Sequence, residues 1–126
     1  MVDVIAAAPI IMKMHERNAR LDRGEMRFED VSFIALTNLY LFASYAYYQQ
    51  DDPILLDGTY DRLCKYLYNN WDFLAAEGVW HVGELIQEGN LQAGTCIGVV
   101  YPNSVREIAD VLIELKSRER VKEDDI

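Results

Sequence analysis

Tyrosine and aspartate side chains recur at short spacing in one part of the sequence, and these residue types could bind a small ligand. Asp57, Tyr60 and Asp61 stand at i, i+3 and i+4, which places them on one side of the first turn of a helix. Aromatic faces attract flat cations, and carboxylates accept hydrogen bonds from hydroxyl groups. Two further tyrosines end the preceding apolar stretch, so a short connector can fold them back across that turn. The pattern therefore predicts a small aromatic and acidic pocket lined by Tyr47, Tyr48, Asp57, Tyr60 and Asp61.

The stretch YAYYQQDDPILLDGTYDRL, residues 45–63, resembles part of the small N-terminal nicotinamide-binding domain of bacterial NAD-dependent DNA ligases. That domain has an aromatic pair at the end of one helix, an Asp-x-Pro connector, and D-x-x-Y-D-x-L at the start of the next helix. The likeness covers about residues 40–76. It departs from the family at Tyr48, where the ligases have a histidine. The matching residues are Tyr47, Asp51, Pro53, Asp57, Tyr60, Asp61 and Leu63.

The resemblance implies a ligand as well as a fold. In the ligases this domain grips the nicotinamide mononucleotide (NMN) half of NAD and folds over the cofactor during self-adenylation. By resemblance, this chain is a helical module that binds NMN, NAD or, through the inherited surface, a protein partner. Arg62 and Lys65 are the candidates to replace the positive charge of the family histidine. Trp71 and Tyr101 are second-rank candidates for the pocket.

The chain lacks the lysine motif that ligases adenylate. No lysine is followed by x-Asp-Gly, and the four lysines are Lys13, Lys65, Lys116 and Lys122. It also has no segment typical of the DNA-binding parts of a ligase. We therefore expect a non-catalytic binding protein, similar to the stand-alone ligase-related proteins found in phages.

Histidine and cysteine offer little further chemistry. His81 could share a helical face with Glu84 and Glu88, but one histidine with two flexible glutamates makes a poor metal site, so no metal is predicted. His15 is predicted to lie on the surface. The two cysteines, Cys64 and Cys96, are too few for a disulfide scaffold and are expected to stay reduced.

The apolar spacing is mostly helical and predicts a mainly α fold with an antiparallel helix pair and at most a minor strand near residues 95–101. The helix over residues 31–48 is apolar on nearly every side, which predicts burial on most faces, and Asp30 is its expected N-cap. The remaining predicted elements are a helix over 57–76 ended by Gly78, a short helix over 79–88, a strand-like segment over 93–102, and a last helix that opens at the capping box Ser104–Glu107.

The length of 126 residues suits one domain. We expect four segments within it: a helical extension over 1–30, the ligase-like helix pair over 31–76, a C-terminal elaboration over 77–116, and a charged tail over 117–126 that frays. The apolar run near the N-terminus lacks a positive region before it, so a signal peptide is not expected. No apolar run approaches the ~20 residues of a membrane span. A cytoplasmic protein is predicted, in the host cytoplasm if a phage encodes it.

The formal net charge is −9, and residues 44–90 carry eight acids against two bases, or −6. Such acidity argues against direct binding of nucleic acid. It leaves a second function open, in which the chain is an acidic phage-type inhibitor of a host defence or nucleic-acid enzyme. A third is an accessory subunit of a separately encoded DNA ligase. The apolar helix over 31–48 and the eight tyrosines would also tolerate an oligomer interface.

Overall fold

The computed structural model describes residues 4–79 and 81–124, with side chains over 6–79 and 81–120. Across these residues the chain is mainly helical and has no strand, which confirms the predicted fold class. No described helix is both long and apolar enough to cross a membrane. The elements are α1 (Val4–Asp22), a 3-10 turn (Phe28–Asp30), α2 (Phe33–Tyr48), α3 (Asp57–Asn69), α4 (Trp71–Glu77), α5 (Glu88–Ala93) and α6 (Asn103–Asp124).

Helix α2 forms the centre of the core. From Leu36 to Ala46 every side chain except that of Asn38 is buried, which confirms the prediction of a helix enclosed on most faces. It contacts α3 and α6, and α6 also contacts α1. Each fully buried leucine here stabilises the fold by roughly 1.5–3 kcal/mol relative to an exposed one. Packing of the chain's own helices therefore accounts for the all-round apolar character of α2.

The N-cap of α2 is Ser32 and not Asp30. The Ser32 Oγ accepts a hydrogen bond from the Ala35 N–H at 3.2 Å. Asp30 instead closes the 3-10 turn, where its carboxylate accepts from the Arg27 N–H at 3.3 Å. The prediction failed because both residues are good caps, and the short turn uses the first of them.

The predicted helix over 57–76 is divided into α3 and α4 at Asn70. The Asn70 side-chain Nδ2 donates to the Tyr66 carbonyl at 2.7 Å, so it takes the acceptor that a continuous helix would offer to the Asn70 backbone N–H. That N–H bonds to the Leu67 carbonyl instead. Gly78 ends α4 with a left-handed φ of +63°, as expected of a helix C-terminus.

The two elements predicted between Gly78 and α6 are wrong. Residues 81–86 form a turn closed by a single bridge between Val82 and Ile86, and the helix in this region is α5, which starts at Glu88. Gly83, with φ +93°, interrupts the expected helix. The strand-like segment over 93–102 is irregular beyond the end of α5. Trp80 lies outside the described residues.

Histidine 15 is buried against α6 and does not lie on the surface. Its Nε2 is 2.7 Å from Glu119 Oε1, and only 7% of the residue is exposed. The charged segment from Ser117 is helical, and the fraying of its end stays a prediction. The segment continues α6 to Asp124, because Glu119 binds α1 and Arg120 binds the connector that precedes α3. Residues 125 and 126 are outside the described part of the tail.

We expect Glu119→Ala to lower the free energy of unfolding by about 1 kcal/mol, because it removes the hydrogen-bond partner of a buried histidine. Glu114→Ala is the matched control, since it makes the same change on the same helix but breaks only an exposed pair with Arg118. Glu114→Ala should lower the free energy of unfolding by less than about 0.5 kcal/mol. Urea denaturation of both variants measures the difference, and equal losses would contradict the role given to His15.

Candidate ligand-binding site

The connector between α2 and α3 is held by helices from distant parts of the chain. The Leu56 N–H donates to Asp22 Oδ1 of α1 at 3.1 Å. From α6, Arg120 donates to Asp52 Oδ1 at 2.8 Å and to the Pro53 carbonyl at 2.9 Å. These contacts fix the path of the connector over the end of α2.

A cavity of about 200 Å³ lies between the connector, the end of α2, the start of α3 and the end of α5. All five residues predicted to form a pocket line it. The structure adds apolar and backbone surface to these five from two further regions, the connector and the α5 terminus. The lining residues are Ala43, Tyr47, Tyr48, Pro53, Ile54, Leu55, Asp57, Tyr60, Asp61 and Gly94.

Two tyrosines form the mouth of the cavity. The rings of Tyr47 and Tyr48 meet edge to face, with centroids 4.9 Å apart and planes at 85°. They are 45% and 41% exposed, so each keeps free surface for a ligand. Partial burial raises the pKa of Tyr48, and the neighbouring Tyr47 raises it further, so the phenol stays neutral at physiological pH. Asp57 and Asp61 are both exposed at the same opening.

Tyr60 forms the inner wall and is held by a buried hydrogen-bond chain. Its hydroxyl lies 2.8 Å from Ser44 Oγ, which donates its own hydrogen to the Tyr40 carbonyl at 2.6 Å, so Tyr60 is the donor to Ser44. The Tyr60 ring stacks on that of Tyr40 at a centroid distance of 6.1 Å and an angle of 15°. The Tyr40 hydroxyl in turn donates to the Thr95 carbonyl. The Tyr60 side chain therefore lines the cavity, and its hydroxyl is used in a hydrogen bond within the protein.

Behind this wall lie two thiols and further phenols. Cys64 and Cys96 are buried and free. Burial raises the pKa of Cys64 to about 12, and burial also raises the pKa values of Tyr40, Tyr60 and Tyr101 well above their usual range. The thiol of Cys64 and the phenols of Tyr40, Tyr60 and Tyr101 are therefore neutral at physiological pH. Charge at the site comes from the two aspartates alone among the lining residues.

The two cations proposed to replace the family histidine do not reach this cavity. Arg62 and Lys65 line a different cavity, because they occupy another face of α3. Positive charge does come close from α6, however. Lys116 and Arg120 line a groove that shares Pro53, Leu55 and Asp57 with the cavity. The sequence offered no sign of this, since α6 lies about 60 residues further along the chain.

Gly94 is the lining residue whose backbone geometry is most demanding. It ends α5 with a left-handed φ of +71°, and a Cβ added there would lie 3.8 Å from Asp61 Oδ1. The sequence pattern did not predict its place, although a glycine at a helix C-terminus is a recognisable signal. The two second-rank candidates lie elsewhere. Tyr101 is buried and its ring meets that of Tyr45 edge to face, and Trp71 packs on the core.

Metal ligands do not gather around His81. It sits in the turn before α5 with a left-handed φ of +70°, so it does not share a helical face with Glu84 and Glu88. Burial lowers the pKa of His81, and the negative charge of Glu84 offsets part of this effect. Throughout the part of the chain that the structure describes, no three His, Cys, Asp or Glu side chains are grouped to hold a metal ion.

Comparison of the chain with protein-family models, with curated proteins and with solved structures found no match. The likeness to the ligase domain therefore stays a prediction.

The free energy of unfolding should fall as the pH rises from about 8 towards 12. At lower pH the Cys64 thiol and the buried phenols are protonated in both states. Within that range they ionise first in the unfolded chain, where their pKa values are about 8.5 for cysteine and about 10 for tyrosine. Tyr60→Phe should reduce the slope between pH 10 and 11 by up to about 1.4 kcal/mol per pH unit.

Denaturant titration at several pH values measures this slope. If Tyr60→Phe left the slope unchanged, the phenol of Tyr60 would not be held neutral by burial.

Proposed function

We propose that this protein binds a nicotinamide nucleotide, with the cationic ring in the cavity between α2, α3 and the connector. The observation that carries the proposal is the convergence of Tyr47, Tyr48, Asp57, Tyr60 and Asp61 on one cavity. They come from two helices, and the connector between them is held from outside by α1 and α6. The fold thus brings together the five residues that the sequence motif places close to one another.

The chemistry of the lining suits an oxidised nicotinamide ring. The ring is flat and positively charged, and contact with an aromatic face is worth ~0.5–2 kcal/mol according to how far it is desolvated. Tyr47 and Tyr48 present such faces, and Asp57 and Asp61 supply negative charge and acceptors for ribose hydroxyls. A volume of about 200 Å³ is below the ~300 Å³ at which drug-sized pockets begin, so the cavity suits one ring and part of its sugar.

The phosphate of the nucleotide would lie outside the cavity, towards α6. The cavity itself has no cation in its lining, and its two aspartates repel a phosphate. Lys116 and Arg120 lie in the adjoining groove beyond Asp57. Arg120 is occupied by Asp52 and the Pro53 carbonyl, so Lys116 is the residue to which we assign the phosphate contact.

The ring cation can be tested apart from the rest of the nucleotide. We expect 1-methylnicotinamide, which is permanently cationic, to bind at least several-fold more tightly than neutral nicotinamide, because only the cation gains from the tyrosine faces and the aspartates. Calorimetric titration with each compound measures this ratio. Asp61→Asn should reduce the ratio, since it removes one negative charge from the cavity.

Asp72→Asn is the matched control for that experiment. It makes the same chemical change at an exposed position of α4, outside the cavity lining, and should leave the ratio unchanged. The absence of binding by 1-methylnicotinamide at millimolar concentration would remove the proposal, and so would equal binding of the charged and neutral compounds.

Lys116→Gln should weaken binding of NMN by about tenfold and leave binding of nicotinamide riboside unchanged. The riboside has the same ring and sugar but no phosphate, so the pair isolates the charge-assisted contact. Arg118→Gln removes a neighbouring positive charge from α6 at an exposed site paired with Glu114, and it should affect neither ligand. A Lys116→Gln variant that bound both ligands normally would exclude the phosphate contact.

The acidity of the chain favours a second candidate, the inhibitor that imitates nucleic-acid charge. Of the eight acids in residues 44–90, all but Asp52 are exposed, so their charge is available to a basic partner. The other alternative, an accessory subunit of a separate ligase, would use the same surface for a protein. If no nicotinamide compound bound, the inhibitor and the accessory subunit would be the functions to test next.

A further inference from the structure

Helix α3 separates charge between two of its faces. Asp57 and Asp61 open onto the cavity described above. Arg62 and Lys65, the only two bases in residues 44–90, open onto a second cavity. Although the net charge of the chain is −9, both basic residues of this region therefore line the same cavity.

The second cavity lies between the end of α1, the 3-10 turn and α3. It has a volume of about 410 Å³, within the range of pockets that hold small organic ligands. Its lining combines three cations with one acid and an apolar wall. The lining residues are Leu21, Gly24, Met26, Arg27, Phe28, Glu29, Arg62, Lys65, Tyr66 and Asn69.

Two of the cations come from α3 and one from the segment before the 3-10 turn, and the two arginines each contact a side chain of the protein. The Arg62 Nη2 donates to the Oγ1 of Thr59, a buried residue, at 3.2 Å, and this contact ties the guanidinium to the helix. Arg27 lies across the cavity in the segment before the 3-10 turn and is 3.6 Å from Asp30. Lys65 adds a third positive charge one turn beyond Arg62. With Glu29 as the one acid in the lining, the net charge there is +2.

The apolar wall is aromatic. The Tyr66 ring contacts that of Phe28 at a centroid distance of 5.5 Å and stacks with that of Phe33 at 5.8 Å. Burial raises the pKa of Tyr66, and the nearby Glu29 raises it further, so its phenol is neutral. The wall therefore offers a packed, uncharged surface beside the cations.

We propose that this second cavity binds a small organic anion that carries an aromatic group, such as an aryl phosphate. Arg62 and Lys65 would hold the anionic group, because guanidinium and ammonium groups form charge-assisted hydrogen bonds to phosphate oxygens. Phe28 and Tyr66 would contact the aromatic group. The site is independent of the nicotinamide proposal, since its positive charge repels the nicotinamide cation.

Phenyl phosphate is the probe that combines both features. Titrated into ¹⁵N-labelled protein, it should shift the backbone amide signals of the second cavity, such as those of Phe28 and Tyr66, and the signals of the first cavity should not move. Inorganic phosphate and phenol each have one of the two features and should bind at least tenfold more weakly than phenyl phosphate. Raising the salt concentration should weaken the binding, because the cations are exposed.

A pair of double variants separates the site from the overall charge. Arg62→Gln with Lys65→Gln should weaken phenyl phosphate binding by about tenfold or more. Arg106→Gln with Arg118→Gln removes the same charge from exposed positions of α6 and should leave binding unchanged. The absence of shifts at 10 mM phenyl phosphate would overturn the proposal, and so would equal losses in the two double variants.

Discussion

The burial of α2 is the constraint on which the rest of the structure depends. A helix that is apolar on every side must be covered on every side. Helices α3 and α6 contact α2, and α1 packs on α6. The same enclosure controls the polar groups inside. Ser44 and Tyr40 have no access to water, so their hydroxyl groups must bond to carbonyl oxygens of the chain itself. This requirement draws Tyr60 and Thr95 towards α2 and gives the first cavity a rigid inner wall.

The two cavities are formed where this enclosure ends. Tyr47 and Tyr48 are the first exposed residues after the buried run of α2, so their rings stand at the boundary between core and solvent. Helix α3 then passes between the cavities with acids on one face and bases on another. Two sites of opposite charge can therefore lie on one short helix. Each draws its apolar surface from a different neighbour, the connector in one case and the 3-10 turn in the other.

The sequence predicted what depends on local pattern. The buried helix, the five pocket residues and the helix end at Gly78 all follow from spacing within one or two elements. It did not predict what depends on contacts between distant elements, such as the burial of His15 by Glu119 or the place of Lys116 beside the connector. The break at Asn70 and the turn at Gly83 were missed for another reason. In each case the helical spacing of apolar residues continues past the break. The helix is interrupted by one residue, through the side-chain hydrogen bond of Asn70 or the backbone conformation of Gly83.

The hold of Arg120 on the connector has a consequence for biosynthesis. Asp52 and Arg120 are 68 residues apart, and the chain is made from its N-terminus. The tyrosines and aspartates of the first cavity are therefore all synthesised long before the side chain that fixes the connector between them. Until α6 docks, the connector lacks one of its two anchors. The first cavity should thus take its final shape only after α6 has docked.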